Sequence, residues 1–189
     1  MKNIAIFASG TGSNFAALQA AFADPARGVH ISVLVCDHAH AAVVAKARTA
    51  GVPVVLVNYK QCGSKAAAEQ YIISKLPTID LIVLAGFMRI LGPDLLAAYP
   101  RKIINLHPAL LPSFPGRTGI ADAYEYGVKV TGVTVHYVDA GVDSGEIIAQ
   151  EPVRITAGES LDELETAIHA VEHVLLPNAV TELIKEGAI

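Results

Sequence analysis

An asparagine, a histidine and an aspartate are the residues of this sequence best suited to acyl-transfer chemistry. Asn105 and His107 end an apolar run that begins at Ile103, and their spacing of two puts both side chains on one face of a predicted strand. Pro108 ends regular pairing there, because proline has no N–H. An Asn N–H and a protonated His can both donate to an oxygen that gains charge. Asp143, in a glycine-rich turn, is the candidate carboxylate for holding and charging His107.

Each of these residues also has an ordinary structural explanation. A lone strand histidine is usually packed in the core, and an aspartate beside glycines usually serves the turn. The side-by-side placement of Asn105 and His107 just before a loop favours a functional role for that pair. His136 is a secondary candidate. Its side chain could enter the same cleft, and it could equally well be packed in the core or exposed to solvent.

A glycine loop, residues 9–14, lies between a predicted strand and a predicted helix. Its N–H groups and the helix N-terminus suit a phosphate monoester, while the alternative is a tight turn without a ligand. A dinucleotide fingerprint would require a third glycine where Phe15 stands. Asp37 follows the second predicted strand, near the usual place of a ribose-binding acid, and so keeps the dinucleotide alternative open.

Residues 85–91 combine a glycine and an arginine with apolar side chains. Gly86 and Arg89 beside Phe87, Met88 and Ile90 suit a flat heterocycle whose edge bonds to the backbone. The alternative is a core segment followed by a turn.

Composition excludes several classes of function. The net charge of −4 argues against nucleic-acid binding, and no polybasic run suggests a membrane surface. No stretch approaches the ~18 uninterrupted apolar residues of a membrane span. Two cysteines in 189 residues favour a reducing, cytoplasmic setting. Cys36, His38 and His40 fit no common zinc pattern, so we expect no metal.

Strand and helix patterns alternate through the first half, which predicts an α/β fold with a mostly parallel, Rossmann-like sheet. The expected strands are residues 4–8, 31–35, 52–57, 80–84 and 103–107, with helices at 15–23, 39–50 and 65–76 and a short one ending at 99. A helix at 120–126, two antiparallel strands at 130–138 and 145–153, and a long final helix should follow. Ser160 and Glu163 form a capping box for that helix, and Pro177 should kink or restart it.

Five segments together resemble the phosphoribosylglycinamide formyltransferases, and the resemblance extends over essentially the whole chain. They are Gly10-Thr11-Gly12-Ser13-Asn14, Leu84–Leu91, Asn105-x-His107-Pro108-x-Leu110-Leu111-Pro112, Gly132-x-Thr134-Val135-His136 and Val142-Asp143-x-Gly145. The resemblance implies a formyltransferase fold that transfers the formyl group of 10-formyltetrahydrofolate, a co-substrate, to the amine of glycinamide ribonucleotide in purine (IMP) synthesis. No metal is implied.

The resemblance also implies an organisation. We expect one formyltransferase domain over residues 1–189, with the ribonucleotide phosphate held by about 1–100 and the catalytic and folate-binding groups in about 101–189. Its partners would be small-molecule substrates, not nucleic acid or membrane. The expected assembly is a monomer or a weak homodimer.

Roles follow from matching positions. Gly12, Ser13 and Asn14 would hold the phosphate, and Glu172 would meet the glycinamide end. The folate site would comprise Lys65, Met88, Arg89, Ile90, Leu91, Asn105, Val142 and Asp143. Asn105, His107 and Asp143 would be the catalytic set, in which Asp143 favours the protonated imidazole and aids proton transfer.

Three positions depart from the family pattern. Lys65 stands where we expect an arginine, Ala109 where a serine is frequent, and Gly119 where alanine is usual. Lysine keeps the positive charge of arginine but loses its bidentate hydrogen-bonding fork.

Two other functions stay open. A 10-formyltetrahydrofolate hydrolase could use the same three catalytic residues with water in place of the amine. A nucleotide-binding regulatory module with an inert Asn/His pair is the third hypothesis.

Overall fold

A seven-stranded sheet forms the centre of the computed structural model, which describes residues 1–189. The strands are β1 Lys2–Phe7, β2 Val29–Cys36, β3 Val54–Leu56, β4 Leu81–Leu84, β5 Ile103–His107, β6 Val130–Tyr137 and β7 Ile147–Arg154. They lie in the order β3-β2-β1-β4-β5-β6-β7. The first five are parallel, whereas β6 is antiparallel to both β5 and β7. The predicted fold class is therefore confirmed.

Seven helices accompany the sheet. They are α1 Ser13–Ala21, α2 Ala42–Thr49, α3 Tyr59–Cys62, α4 Lys65–Lys75, α5 Pro93–Ala98, α6 Gly119–Tyr126 and α7 Leu161–Lys185. Pro25–Arg27 forms a 3-10 turn. The short helix α3 was not predicted, and most other boundaries differ from the predictions by only a few residues.

The two faces of the sheet carry separate apolar cores. Ile4 and Ile6 of β1 belong to the larger core, on the side of the final helix, while the alternating residues Ala5 and Phe7 belong to the smaller core. This arrangement follows from the alternation of side chains along a strand, and burial of both faces explains the continuous apolar character of β1 and β4.

The final helix begins as predicted but does not restart at Pro177. The capping box is formed by Ser160 and Glu163, and one helix then runs from Leu161 to Lys185. Leu176, Pro177 and Val180 are all buried. Packing of this face compensates for the hydrogen bond that proline cannot donate. Of the two outcomes predicted at Pro177, a kink or a restart, the restart is therefore wrong, and the kink stays a prediction.

No helix in the structure combines the length and the apolar character needed to cross a membrane.

Candidate active site

A cavity of about 400 Å³ opens where β1, β4 and β5 end. Three loops that leave these strands line it: the glycine loop (residues 9–14), the apolar loop (residues 86–92) and the proline-rich loop (residues 108–116). In the sheet, β2 and β3 lie on one side of β1, and β4 to β7 lie on the other side. The cavity thus lies at the switch point of the strand order, the usual ligand position in such sheets.

Nearly all predicted site residues line this one cavity. They are Gly12, Ser13, Asn14, Met88, Arg89, Ile90, Leu91, Asn105, His107, His136, Val142, Asp143 and Glu172. The exception is Lys65, which is exposed at the start of α4 and is not among the lining residues.

His107 lies between two oxygen acceptors. Its Nδ1 is 3.4 Å from Oδ2 of Asp143, and its Nε2 is 2.8 Å from the carbonyl oxygen of Phe114. Only a doubly protonated ring can direct an N–H at both oxygens. Because His107 is only 2% exposed, water competes little for either contact.

Asp143 is held in place by the backbone of the proline-rich loop. Its Oδ2 accepts the N–H of Gly116 at 2.8 Å. Asp143 itself has a positive φ of 51°, a conformation that aspartate and asparagine tolerate better than most residues. The carboxylate is therefore fixed beside His107 by a backbone N–H from the proline-rich loop, whereas the side-chain bonds within its own turn come from Asp139.

His136 joins the same group of side chains. Its Nδ1 lies 2.8 Å from the carbonyl oxygen of Tyr137, and its Nε2 lies 3.2 Å from Nδ2 of Asn105. If Nδ1 donates to the carbonyl, Nε2 is free to accept from Asn105. The second Asn105 hydrogen faces Oδ1 of Asp143 at 3.4 Å, longer than a typical hydrogen bond, and so can turn to another acceptor.

Thr134 anchors the proline-rich loop, a role that the sequence did not reveal. Its hydroxyl donates to the carbonyl oxygen of Ala109 at 2.7 Å and accepts the N–H of Leu111 at 3.1 Å. Thr134 pairs with His107 across the β5–β6 ladder. Along β6, Thr134 and His136 alternate with Val133 and Val135, and all four are buried. Thr134 bonds this loop, and His136 lines the cavity.

Gly119 and Ala109, two of the departures from the family pattern, lie beside the histidine. A Cβ at position 119 would be 3.3 Å from Nε2 of His107 and 3.1 Å from the Phe114 carbonyl oxygen. Ala109 is fully buried. Both positions therefore bear on the packing around the His107–Phe114 contact.

The glycine loop presents a row of unpaired backbone donors. The N–H groups from Gly10 to Asn14 make no hydrogen bonds within the chain. Gly12 has a φ of +73°, and a Cβ there would lie 2.5 Å from a methyl carbon of Val43. Glycine is thus required by conformation and by packing against α2. Nζ of Lys46 lies 3.5 Å from the Gly12 carbonyl oxygen, which adds a cation beside the loop.

The opposite wall of the cavity comes from the apolar loop. Met88 and Ile90 are 52% and 63% exposed, and Val142 across the opening is 53% exposed. The backbone N–H and carbonyl groups of Arg89, Ile90 and Leu91 make no hydrogen bonds within the chain. An apolar surface with free backbone edges suits a flat heterocycle.

Asp37 is not available to a ribose. Its side chain is fully buried, and its Oδ2 accepts Nε–H of Arg89 at 2.7 Å. Burial alone would raise the pKa of Asp37, but hydrogen bonds from Ser9, Arg89 and His38 outweigh burial and hold this pKa below its usual range. The structure thus removes the feature that supported dinucleotide binding.

No group of three or more His, Cys, Asp or Glu side chains is arranged to hold a metal ion. The Cys36 thiol donates to the carbonyl oxygen of His38. Burial raises the pKa of Cys36.

Comparison with known proteins gives a consistent picture. Residues 2–180 match the family described as formyl transferase. The chain is 44% identical to a phosphoribosylglycinamide formyltransferase of Bacillus subtilis, over 97% of this chain and 95% of the relative. A solved phosphoribosylglycinamide formyltransferase from Bacillus halodurans superimposes with a TM-score of 0.95 at 43% identity, covering 98% and 97% of the two chains. A glycinamide ribonucleotide transformylase from Geobacillus kaustophilus gives 0.94 at 48% identity, covering 97% and 98%.

Proposed function

Because this chain belongs to the formyl transferase family, we propose that it transfers the formyl group of 10-formyltetrahydrofolate to the amine of glycinamide ribonucleotide, in purine synthesis. Its relatives of similar length carry the name of that activity. The observation that carries the proposal is one cavity that joins Asn105, His107 and Asp143 to a loop of free N–H groups and an apolar wall.

The reaction begins with attack of the neutral amine on the formyl carbon. A C–N bond forms, and the carbonyl electrons move to oxygen as the carbon becomes tetrahedral. Asn105 and the protonated His107 are suited to donate to this oxyanion. The long Asn105–Asp143 contact supports this role, because its hydrogen is weakly engaged before substrate binds.

Collapse of the intermediate breaks the bond between the formyl carbon and the folate nitrogen. That nitrogen must gain a proton, and the attacking amine must lose one. His107 with Asp143 is the proton relay that we propose, acting directly or through water. Asp143 favours the charged imidazole by proximity, at 3.4 Å from Nδ1. We propose that His136 orients the Asn105 carboxamide through its 3.2 Å contact.

The ribonucleotide is assigned to the glycine-loop side. Free N–H groups of Gly12, Ser13 and Asn14 at the start of α1 suit the phosphate dianion. Glu172 is buried, and its Oε2 accepts from Nδ2 of Asn14 at 2.9 Å. A carboxylate there suits the amine end of the glycinamide.

The folate is assigned to the other wall. The free backbone groups of Arg89 to Leu91 suit the edge of the folate ring system, and Met88, Ile90 and Val142 suit its faces. Lys65, outside the lined cavity, is proposed to reach the charged tail. On this assignment about residues 1–100 supply the phosphate site and five of the eight folate residues, Lys65 and Met88 to Leu91, while about 101–189 supply the catalytic groups and the remaining folate contacts. We propose a cytoplasmic enzyme that is a monomer or a weak homodimer.

Folate turnover with and without glycinamide ribonucleotide tests the proposal. We expect loss of 10-formyltetrahydrofolate only when the ribonucleotide is present, with stoichiometric formation of formylated ribonucleotide. Formate release without the ribonucleotide would indicate the hydrolase instead. No turnover under either condition, with retained ribonucleotide binding, would indicate the regulatory module.

A further inference from the structure

The backbone groups of the apolar loop, residues 86–92, make few hydrogen bonds between its two buried residues. Phe87 and Leu91 are buried, and the Phe87 ring packs edge-on against Phe7 with centroids 5.4 Å apart. Between them, only the Met88 N–H is bonded within the chain, to Oγ of Ser9 at 2.9 Å. Something other than secondary structure must therefore set the shape of this segment.

Asp37 supplies part of that support from outside the cavity. Its buried carboxylate accepts Nε–H of Arg89 at 2.7 Å. Ser9, whose hydroxyl accepts the Met88 N–H, also helps to hold the pKa of Asp37 below its usual range, which places the serine beside the carboxylate. Ser9 further donates its own N–H to the Gly86 carbonyl oxygen at 3.0 Å. The Asp37 carboxylate thus holds Arg89 directly, while the neighbouring Ser9 holds Met88 and Gly86.

Tyr59 covers the other side of Arg89. The Arg89 guanidinium carbon lies 4.8 Å from the centre of the Tyr59 ring, within the range of a cation–π contact. Burial, with the nearby Glu69, raises the pKa of Tyr59 to about 12, so the ring stays neutral under the cation. The guanidinium is thereby engaged on its edge by Asp37 and on its face by Tyr59.

Glu69 holds the far end of the loop. It is fully buried on α4 and accepts the N–H groups of Gly92 and Leu95 at the start of α5. A carboxylate at a helix N-terminus is a favourable placement. Asp37 thus holds the apolar loop at Arg89, and Glu69 holds it at Gly92. The backbone groups of Arg89 to Leu91 stay free for a ligand.

We infer that Asp37, acting through Arg89, is a positioning residue that preforms the apolar loop to receive the formyl donor. Asp37 is not placed to touch the substrate, because its side chain is fully buried and it is not among the residues that line the cavity. The inference rests on the proposed function, because it assigns the folate to this wall. We therefore expect loss of Asp37 to weaken folate binding far more than ribonucleotide binding.

Kinetics with both substrates varied test the inference. Asp37→Asn keeps the shape but removes the charge, and should raise the KM for 10-formyltetrahydrofolate by about tenfold, equivalent to about 1.4 kcal/mol. We expect the ribonucleotide KM and kcat to change by less than about twofold, since the reacting groups are untouched. Arg89→Met should reproduce this pattern, which keeps the test valid if the Asp37 variant folds poorly.

Two control variants separate positioning from general destabilisation. Tyr59→Phe retains the ring and should leave both KM values unchanged. Glu182→Gln breaks an exposed ion pair of similar length, 2.7 Å to Lys185 on α7, and should also have no effect. A fall in kcat alone in Asp37→Asn, or equal changes in both KM values, or no change at all, would overturn the inference. Absence of formyl transfer in the unmodified enzyme would instead refute the proposed function.

Discussion

Asn14 and Glu172 bring the first and last helices together inside the cavity. Nδ2 of Asn14 donates to Oε2 of Glu172 at 2.9 Å across 158 residues of sequence. The same oxygen lies 3.0 Å from Nδ1 of His169. Because both residues are buried, this pair ties the glycine loop to α7 and defines one end of the site.

Changing the charge of Glu172 should affect the ribonucleotide selectively. In Glu172→Gln the amide oxygen can still accept from Asn14, but the negative charge at the proposed position of the glycinamide amine is lost. We expect the ribonucleotide KM to rise about tenfold or more, equivalent to about 1.4 kcal/mol, with the folate KM nearly unchanged. Steady-state kinetics on both substrates provide the measurement. Equal effects on the two KM values would contradict the assignment of Glu172.

A methyl group at Gly12 should damage the fold as well as the phosphate site. Gly12→Ala forces a Cβ to 2.5 Å from Val43 at a φ of +73°, so we expect a lower melting temperature together with a higher ribonucleotide KM. Gly10→Ala is the matched control, since a Cβ there has no neighbour within 4 Å. Thermal unfolding and ribonucleotide titration of both variants provide the comparison. Similar losses in both variants would show that the contact with Val43 is not the cause.

Local patterns in the sequence predicted most of the fold. Apolar runs bounded by glycine or proline identified the strands, and the Ser160–Glu163 spacing identified the start of α7. Asn105 and His107 were placed correctly at a strand end because their spacing matches strand geometry.

Contacts between distant segments could not be predicted in this way. Asp37 and Arg89 are 52 residues apart, and neither has a local feature that indicates the other. The Phe114 carbonyl beside His107 is a backbone group, which residue identity does not reveal. The same applies to the Gly116 N–H that holds Asp143. Sequence therefore predicted the candidate reacting side chains but not the groups that orient them.

The stabilisation due to Asp37 should depend on pH in a defined direction. Its pKa is lower in the folded protein than the ordinary value of about 3.9, so its contribution is complete above that value and is lost as pH falls through the folded pKa. Arg89, His38 and Ser9 face the carboxylate. The urea midpoint of the unmodified protein should exceed that of Asp37→Asn at pH 7, and the gap should narrow below about pH 4. A gap that widens on acidification would contradict this sign.

Lys65 should contribute a weak, salt-sensitive contact to the folate tail. It is exposed, and a solvent-screened charge contact is worth about 1 kcal/mol or less. Lys65→Ala should thus weaken folate binding by less than about fivefold at low ionic strength, and the difference should disappear at high salt. Lys60→Ala, which removes another exposed lysine from the neighbouring helix α3, is the control. Equal folate affinity of the two variants at low salt would remove Lys65 from the site.

The dependence of His107 on Asp143 is the central prediction. Asp143→Asn preserves the side-chain shape, an acceptor for the Gly116 N–H, and tolerance of the positive φ. It removes only the charge 3.4 Å from Nδ1 of His107. We expect kcat to fall by about 10²–10³, with little change in ribonucleotide affinity, and a smaller fraction of protonated His107 at neutral pH in NMR titrations.

The three proposed catalytic residues should also behave as a unit. Asn105 lies 3.4 Å from Asp143, and both are proposed to act on the same oxyanion, Asn105 directly and Asp143 through His107, so the loss in Asn105→Ala/Asp143→Asn should be much smaller than the product of the two single losses. If Asp143 served only its turn, Asp143→Asn would keep near-normal kcat and an unchanged His107 titration. In that case the double variant would lose no more activity than Asn105→Ala alone, and the charge on the imidazole would need another source.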